Sequence, residues 1–329
     1  MMGDLSRESG TAPSNSGTRS TLRVSLTDLM RILGPWSWAR GRGFAFNVSR
    51  TAELLRSRFG SEQDFDAISH LRLDVVIPAA DKDSEILPLT VSGIRRNLAH
   101  PLGKIVVVAA AGSRVGEVAA KLGCEVIDEN AVLPLRKADL HYQVGGVDRS
   151  GWLFQQLIKL SADTLSSEEH VLLLDADTVM IRPQTLTRRG EIVALNSHEY
   201  HLPYFSVCAE LLPTTQQSRL SFIAHHMIVN CRSLADLKAD VELRRQIPWW
   251  QAIIDACDFT EGSCFASDEL YGNYEFSRSD AMLRRWWANL PLPRDSMSSL
   301  DELSRRYGSA YRTVSFHSYI RKRAWAIIR

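Results

Sequence analysis

Two acidic residues one position apart follow a run of aliphatic residues in the middle of the chain. Asp175 and Asp177 come directly after Val171-Leu172-Leu173-Leu174. Such a run indicates a strand buried on both faces, as in a parallel sheet covered by helices. Residues i and i+2 of an extended segment point to the same side, so both carboxylates can converge on one divalent cation. Two solvated acids in a turn are the simpler alternative.

The elements that precede these acids alternate between strand and helix. The predicted strands span 73–78, 104–110 and 124–127. The predicted helices between them span 86–98 and 115–122. This order predicts a parallel sheet with right-handed crossovers, an α/β fold. No Gly-x-Gly-x-x-Gly or P-loop sequence follows the first strand, so the corresponding nucleotide-binding fingerprints are excluded.

Other polar residues lie where these elements could bring them to the same edge of the sheet. Pro78 ends the first strand and Asp81 follows it, at the end of the strand where ligands bind in open α/β sheets. Gln155 and Gln156 lie in an amphipathic helix that leads into the Asp175 strand. Such a pair could contact a ligand, although we expect one of the two to be simply exposed.

Three histidines lie within apolar segments. His225 and His226 interrupt the segment 221–230, and vicinal residues of a strand point to opposite faces, so only one should face the site. His317 lies in a short strand-like segment near the end of the chain. A histidine satisfied within the core is the alternative for each of them.

The composition of the 329 residues is ordinary for a globular protein, with 45% hydrophobic and 23% charged residues. The net charge of +1 gives no field that would favour nucleic acid. The five cysteines show no paired spacing and indicate reduced thiols. We find no segment of membrane-span length and no signal peptide, so we expect a soluble, cytoplasmic protein. Trp36 and Trp38 allow a peripheral membrane contact, although packing against the domain is favoured.

Two chemistries fit a strand followed by Asp-x-Asp. The string Asp175-Ala176-Asp177-Thr178-Val179 matches the opening motif of aspartyl-nucleophile phosphatases. That motif normally lies near the start of its domain, and the paired acids that such enzymes need further along are missing. The second chemistry is that of GT-A glycosyltransferases, in which mid-domain acids hold a metal that bridges the diphosphate of a nucleotide-sugar.

Six segments together support the second chemistry. They are Asp74–Pro78, Gly151–Leu160, Leu174–Thr178, His201–Phe205, His225–Asn230 and Glu269–Asn273. In this order they resemble a bacterial GT-A glycosyltransferase-like family known mostly from its sequences. That family commonly has Ser-Glu-Tyr-Glu before its Tyr-Gly, where this chain has Ala266-Ser267-Asp268-Glu269. Which of Asp268 and Glu269 would act as the base is therefore open.

The resemblance implies a GT-A fold and a hexosyltransferase-type enzyme that moves a sugar from a nucleotide-diphosphate donor to a glycan or small-molecule hydroxyl acceptor. Asp175, Asp177 and His317 would bind Mn²⁺ or Mg²⁺, with His225 and His226 as rivals for the histidine. If the reaction inverts configuration, Glu269 or Asp268 would deprotonate the acceptor, whereas a reaction that retains configuration needs no such base. The donor contacts would come from Pro78, Asp81, Gln155, Gln156, Asp175, His225 and His226.

The implied organisation has three parts. Residues 1–20 have almost nothing to bury and are predicted to be a disordered tail. Residues 21–70 are predicted to be a helical segment, and residues 71–329 the GT-A catalytic domain. The alternatives to a transferase are the phosphatase and a catalytically inactive module that binds nucleotide-sugars.

Overall fold

The computed structural model of the chain describes residues 25–34, 38–60, 65–279, 282–317 and 320. The helices are α1 (Leu26–Leu33), α2 (Phe44–Phe59), α3 (Leu87–Asn97), α4 (Arg114–Lys121), α5 (Ser150–Lys159), α6 (Ala162–Leu165), α7 (Leu202–Leu211), α8 (Cys231–Arg245), α9 (Trp249–Ala256), α10 (Ser267–Arg278) and α11 (Leu300–Tyr307). The strands are β1 (Leu73–Pro78), β2 (Leu102–Ala109), β3 (Glu125–Asp128), β4 (Gln143–Val144), β5 (Val147–Asp148), β6 (His170–Leu174), β7 (Thr178–Met180), β8 (Thr187–Arg188), β9 (Glu191–Ile192), β10 (Ala194–Asn196), β11 (His226–Asn230), β12 (Arg284–Trp286), β13 (Asn289–Pro293) and β14 (Thr313–His317). The tail predicted for residues 1–20 lies outside the described residues.

A five-stranded sheet with the order β11-β6-β1-β2-β3 forms the centre of the molecule. The strands β6, β1, β2 and β3 are parallel, and β11 pairs antiparallel with β6. The predicted α/β architecture, with a central and mostly parallel sheet flanked by helices, is confirmed. Its strands lack the alternation of a half-exposed sheet because helices cover both faces.

Side chains from the two faces of this sheet enter two separate cores. One core contains Val76, Val106 and Leu173, with apolar residues of α5, α7, α8 and α10. The other contains Val75 and Val107, with apolar residues of α3 and α4. Burial of apolar surface on both faces contributes about 25 cal/mol per Å² and accounts for the continuous apolar character of these strands.

A second sheet, with the order β13-β14-β7, brings the end of the chain back to the segment after Asp177. The strands β7 and β14 pair antiparallel with Thr178 opposite Ser315, and the two hydroxyls lie 2.8 Å apart. This pairing determines where His317, the last residue of β14, lies.

Two helices, α1 and α2, occupy the described part of residues 21–70. Ser25 caps α1 by accepting a hydrogen bond from the Thr27 amide at 3.1 Å. Asp28 of α1 is buried and accepts a hydrogen bond from Arg58 of α2 at 3.0 Å, which joins the two helices. None of the helices in the described part of the chain is long and apolar enough to cross a membrane.

Gly93 lets α3 lie directly on β7, and this contact yields a stability prediction. A Cβ at this position would lie 2.9 Å from the Met180 carbonyl oxygen and 3.0 Å from its amide nitrogen. Backbone atoms of a paired strand cannot move aside cheaply, so Gly93→Ala should lower the free energy of unfolding by about 1–3 kcal/mol. Urea denaturation measures this free energy of unfolding. Ser92→Ala, on the exposed side of α3, should change it by less than about 0.5 kcal/mol. Equal stability of both variants would contradict the close packing.

Candidate active site

The order of the central sheet predicts where a ligand would bind. From the central strand β1 the sheet continues to β2 and β3 on one side and to β6 and β11 on the other. In open α/β sheets, ligands bind outside the carboxyl ends of the strands at such a point of divergence. Asp175 follows the carboxyl end of β6, and the segment 79–83 follows that of β1. The acids therefore lie at the edge where a binding cleft is expected.

Both carboxylate oxygens of Asp175 have partners. Its Oδ1 lies 2.7 Å from the Lys159 ammonium, and its Oδ2 lies 2.9 Å from Nδ1 of His225. Its backbone amide also donates to the His225 carbonyl oxygen at 2.9 Å. Burial alone would raise the pKa of Asp175, but the charges of Lys159 and His225 outweigh it and hold that pKa well below its usual range.

Lys159 is the central cation of the site, although the sequence analysis did not select it. Its side chain is 6% exposed, and its ammonium lies 3.7 Å from Oδ1 of Asp268 as well as 2.7 Å from Asp175. Burial lowers the pKa of a lysine, but the two carboxylates more than offset this effect and raise the pKa of Lys159. A charged residue near the end of an apolar helix is a signal that could have identified Lys159. That signal does not predict whether the side chain is buried, because burial depends on the tertiary structure.

Asp177 faces the end of the chain. Its Oδ2 lies 3.4 Å from Nδ1 of His317, and its backbone carbonyl accepts the Phe316 amide at 2.9 Å. Among the described residues, no group of three or more His, Cys, Asp or Glu side chains is arranged to hold a metal ion by itself. The structure thus brings Asp177 and His317 together, whereas Asp175 is directed at Lys159 and His225.

His225 and Trp287 complete this cluster. The His225 ring lies 5.2 Å from the Trp287 ring and 5.3 Å from the His317 ring, between centroids. Burial disfavours the imidazolium of His225, but the hydrogen bond and charge of Asp175 outweigh it and raise the pKa to about 9. His225 is therefore a cation at neutral pH. Sequence reasoning did not select Trp287, which carries no local motif.

His226 does not take part in the cluster. Its side chain is buried, and its Nδ1 lies 3.0 Å from the Ala224 carbonyl oxygen. Burial and the neighbouring His225 charge lower the pKa of His226 to about 4, so it is neutral at pH 7. Only one of the two histidines faces the acids, although not for the predicted reason. His225 precedes the strand and has a positive φ of 60°, so strand alternation does not separate them.

The structure separates the two candidate base residues, Asp268 and Glu269. Asp268, in the first turn of α10, lies beside Lys159, and burial raises its pKa. Glu269 is fully buried and accepts hydrogen bonds from Ser221 at 2.7 Å and Asn273 at 3.0 Å. Asp268, rather than Glu269, is the acid that lies with Asp175.

Two of the remaining predicted contact residues, Gln156 and Asp81, hold the structure around the site. The side-chain oxygen of Gln156 accepts bonds from the Ser267 amide and hydroxyl at 3.0 and 2.9 Å, which fixes the start of α10. Asp81 accepts the Val115 amide at 3.0 Å and so anchors α4 to the loop after β1. Gln155 is partly exposed on α5, and Pro78 is buried at the end of β1.

The chain matches a protein family and resembles solved structures at low sequence identity. The model of a family of unknown function, DUF6492, matches residues 87–289. No curated protein matches the chain. Among solved structures, the galactosyltransferase LgtC in complex with donor and acceptor sugar analogues is 14% identical, at a TM-score of 0.41 over 75% of this chain and 88% of that one. Mouse xyloside xylosyltransferase 1 is 12% identical, at a TM-score of 0.40 over 75% of this chain and 98% of that one.

The burial of Glu269 predicts a pH-dependent stability. Burial raises the pKa of Glu269 from 4.5 to about 8, because the hydrogen bonds that it accepts only partly replace its lost hydration. As the pH rises from 4.5 to 8, the unfolded chain releases this proton while the folded chain retains it. The group therefore destabilises the fold increasingly across that window.

The test of this interpretation is Glu269→Gln. Between pH 5 and pH 9, the melting temperature of this variant, measured by circular dichroism, should fall less than that of the wild type. Glu117→Gln, on the exposed side of α4, is the matched control and should follow the wild type. A Glu269→Gln variant that is destabilised equally at every pH would show that its hydrogen bonds, rather than its protonation, determine its contribution.

Proposed function

This chain belongs to DUF6492, a family of unknown function, and we propose that it is a metal-dependent glycosyltransferase with a GT-A fold. It would transfer a sugar from a nucleotide-diphosphate donor to a hydroxyl acceptor. The observation that carries the proposal is the cluster at the carboxyl end of β6. There, the acid pair after β6, a buried lysine, a histidine from the end of the chain and an acid from α10 converge.

The charges of this cluster support a role for a divalent cation. The cluster contains three acidic side chains, Asp175, Asp177 and Asp268, and two cationic ones, Lys159 and His225. Their formal charges sum to one negative charge, which would repel an anionic diphosphate. A divalent cation would reverse the sign and allow the donor to bind.

The donor atoms beside Asp177 fit such a cation. A carboxylate oxygen and an imidazole nitrogen 3.4 Å apart offer two ligands to one ion, and diphosphate oxygens and water would supply the others. The imidazole suits Mn²⁺ better than Mg²⁺. When bound, the metal would stabilise negative charge on the departing diphosphate. Asp175 would join these ligands only by releasing Lys159 or His225.

Asp268 is the residue that we assign to the acceptor hydroxyl. Its carboxylate lies at the start of α10 on the same ammonium as Asp175, and its raised pKa makes it a better proton acceptor than a solvated aspartate. Lys159 would hold this carboxylate in place, since its ammonium lies between the two acids. Gln156, on the same helix as Lys159, would support the arrangement by fixing Ser267.

The phosphatase alternative would use Asp175 as a nucleophile. Both oxygens of Asp175 are bound to cationic side chains, which leaves this carboxylate poorly suited to attack phosphorus. Hydrolysis of a chromogenic phosphate ester with Mg²⁺ would favour the phosphatase. Binding of nucleotide-sugars without transfer or hydrolysis would favour the inactive module.

The first experiment is a thermal-shift screen of UDP, GDP, CDP and their sugars, with and without Mn²⁺. A rise in melting temperature that requires both the metal and one nucleotide class would identify the donor. For that donor, Asp177→Asn and His317→Ala should each weaken Mn²⁺-dependent binding at least about 10-fold, measured by calorimetry. His170→Ala, at the opposite end of β6, is the control. Unchanged Mn²⁺ affinity in a folded His317→Ala variant would remove His317 from the proposed metal site.

Substitution of the two α10 acids tests the assignment of the base. Asp268→Asn should lower kcat by about 10²–10⁴-fold while donor affinity is retained, because a general base contributes about that much. Glu269→Gln should change kcat by less than about 10-fold, since Glu269 is bound to Ser221 and Asn273. The reverse result would return the base to Glu269.

A further inference from the structure

The helix α2 is oriented with apolar side chains toward solvent. Phe44, Val48 and Phe59 are 72%, 49% and 57% exposed. They lie on one side of the helix because their spacing of 4 and 11 residues is close to whole turns of 3.6 residues. A surface helix ordinarily places its apolar side on the core and its polar side in water.

The buried side of α2 is mostly polar, with Leu54 as its one fully buried apolar residue. Arg50 is 1% exposed and donates to the carbonyl oxygens of His198 and Glu199, the latter at 2.9 Å. Ser57 donates to the Asn196 side-chain oxygen at 2.5 Å, and Arg58 binds Asp28 at 3.0 Å. These bonds attach the helix to the domain and leave its apolar side uncovered by the described residues.

The helix α1, which packs on α2, exposes a second apolar row. Leu26, Met30 and Leu33 are 73%, 53% and 60% exposed and lie at positions i, i+4 and i+7. The Trp38 ring contacts the Phe44 ring at 5.9 Å between centroids, so the connection between the helices adds to the same surface. Exposed apolar areas of this kind mark sites of contact with a membrane or a partner.

The exposed charged side chains on α1, α2 and the described residues between them have one sign. Arg40, Arg42 and Arg56 are exposed, and no acid within residues 25–34 and 38–60 is exposed. The acids there are Asp28, which is buried on Arg58, and Glu53, which binds Arg219 and Arg284. These segments therefore expose only positive side chains, although Arg40 also lines a cavity with Asp258 and Glu261.

We propose that this surface of α1 and α2 binds an anionic lipid bilayer. Apolar and aromatic side chains would enter the interface between headgroups and acyl chains, and the arginines would bind anionic headgroups. A second copy of the chain in a twofold contact would bring the same arginine-bearing surface to both sides of the interface. Residues 1–24 contain three arginines and two acids, and residues 321–329 contain four basic residues. Neither segment therefore offers the excess of acids that would complement Arg40 and Arg56.

Co-sedimentation of the full chain with vesicles tests this proposal. The protein should bind vesicles of phosphatidylcholine and phosphatidylglycerol at 3:1 more strongly than pure phosphatidylcholine, and added salt should weaken the binding. The double variant Phe44→Ser/Phe59→Ser should lower the partition constant at least about 10-fold. Leu243→Ser, at a leucine on α8 that is 72% exposed, is the matched control and should bind like the wild type.

The charges are tested separately. Arg40→Glu/Arg56→Glu should reduce binding to the anionic vesicles by more than about 10-fold, because each arginine near the surface contributes roughly fivefold. Circular dichroism verifies that each variant is folded. The proposal is overturned if the folded wild type shows no preference for anionic vesicles. It is also overturned if size-exclusion chromatography shows a dimer that Phe44→Ser/Phe59→Ser dissociates while vesicle binding is absent.

Discussion

The arrangement of the site depends on one buried ion pair, between the ammonium of Lys159 and the carboxylate of Asp175. A buried charge is tolerated only where partners replace its hydration, and removal of one partner leaves the other uncompensated. Lys159 belongs to the end of α5, Asp175 to the end of β6, and the second partner, Asp268, to the start of α10. The requirement to neutralise one ammonium therefore holds three elements in register at the edge of the sheet.

The loop before β11 adds a second constraint on the same carboxylate. His225 adopts a positive φ, which is uncommon for a residue with a side chain and costs about 1 kcal/mol or more. In return, its carbonyl accepts the Asp175 amide and its ring binds the Asp175 side chain. The strained conformation is thus supported by two hydrogen bonds to one residue. It also explains how adjacent histidines take opposite roles, one in the acid cluster and one in the core.

The unusual orientation of α2 connects the site to the proposed membrane surface. The loop that follows β10 needs partners for its carbonyl oxygens, and the buried Arg50 supplies them. The side of α2 that faces the domain supplies these polar groups and buries only Leu54 among its large apolar residues. Phe44, Val48 and Phe59 face outward, and together with α1 they form an area that a lipid surface can cover. The same helix thus supports a loop of the domain on one side and offers a docking surface on the other.

The sequence alone determined the strands before Asp175, because continuous apolar runs and alternating helices leave little choice of architecture. It also offered Asp177 and His317 as candidate ligands of one metal ion. Their contact, however, depends on the pairing of β7 with β14 across more than a hundred residues. The local sequence pattern did not predict the helix α10. It also did not predict the burial of Glu269, because the adjacent acids Asp268 and Glu269 differ only in the direction in which their side chains point from the helix. Lys159 and Trp287 carry no motif and gain their roles from what packs around them. Composition and periodicity specify elements, whereas the burial that decides charge, pKa and partner exists only after the elements have assembled.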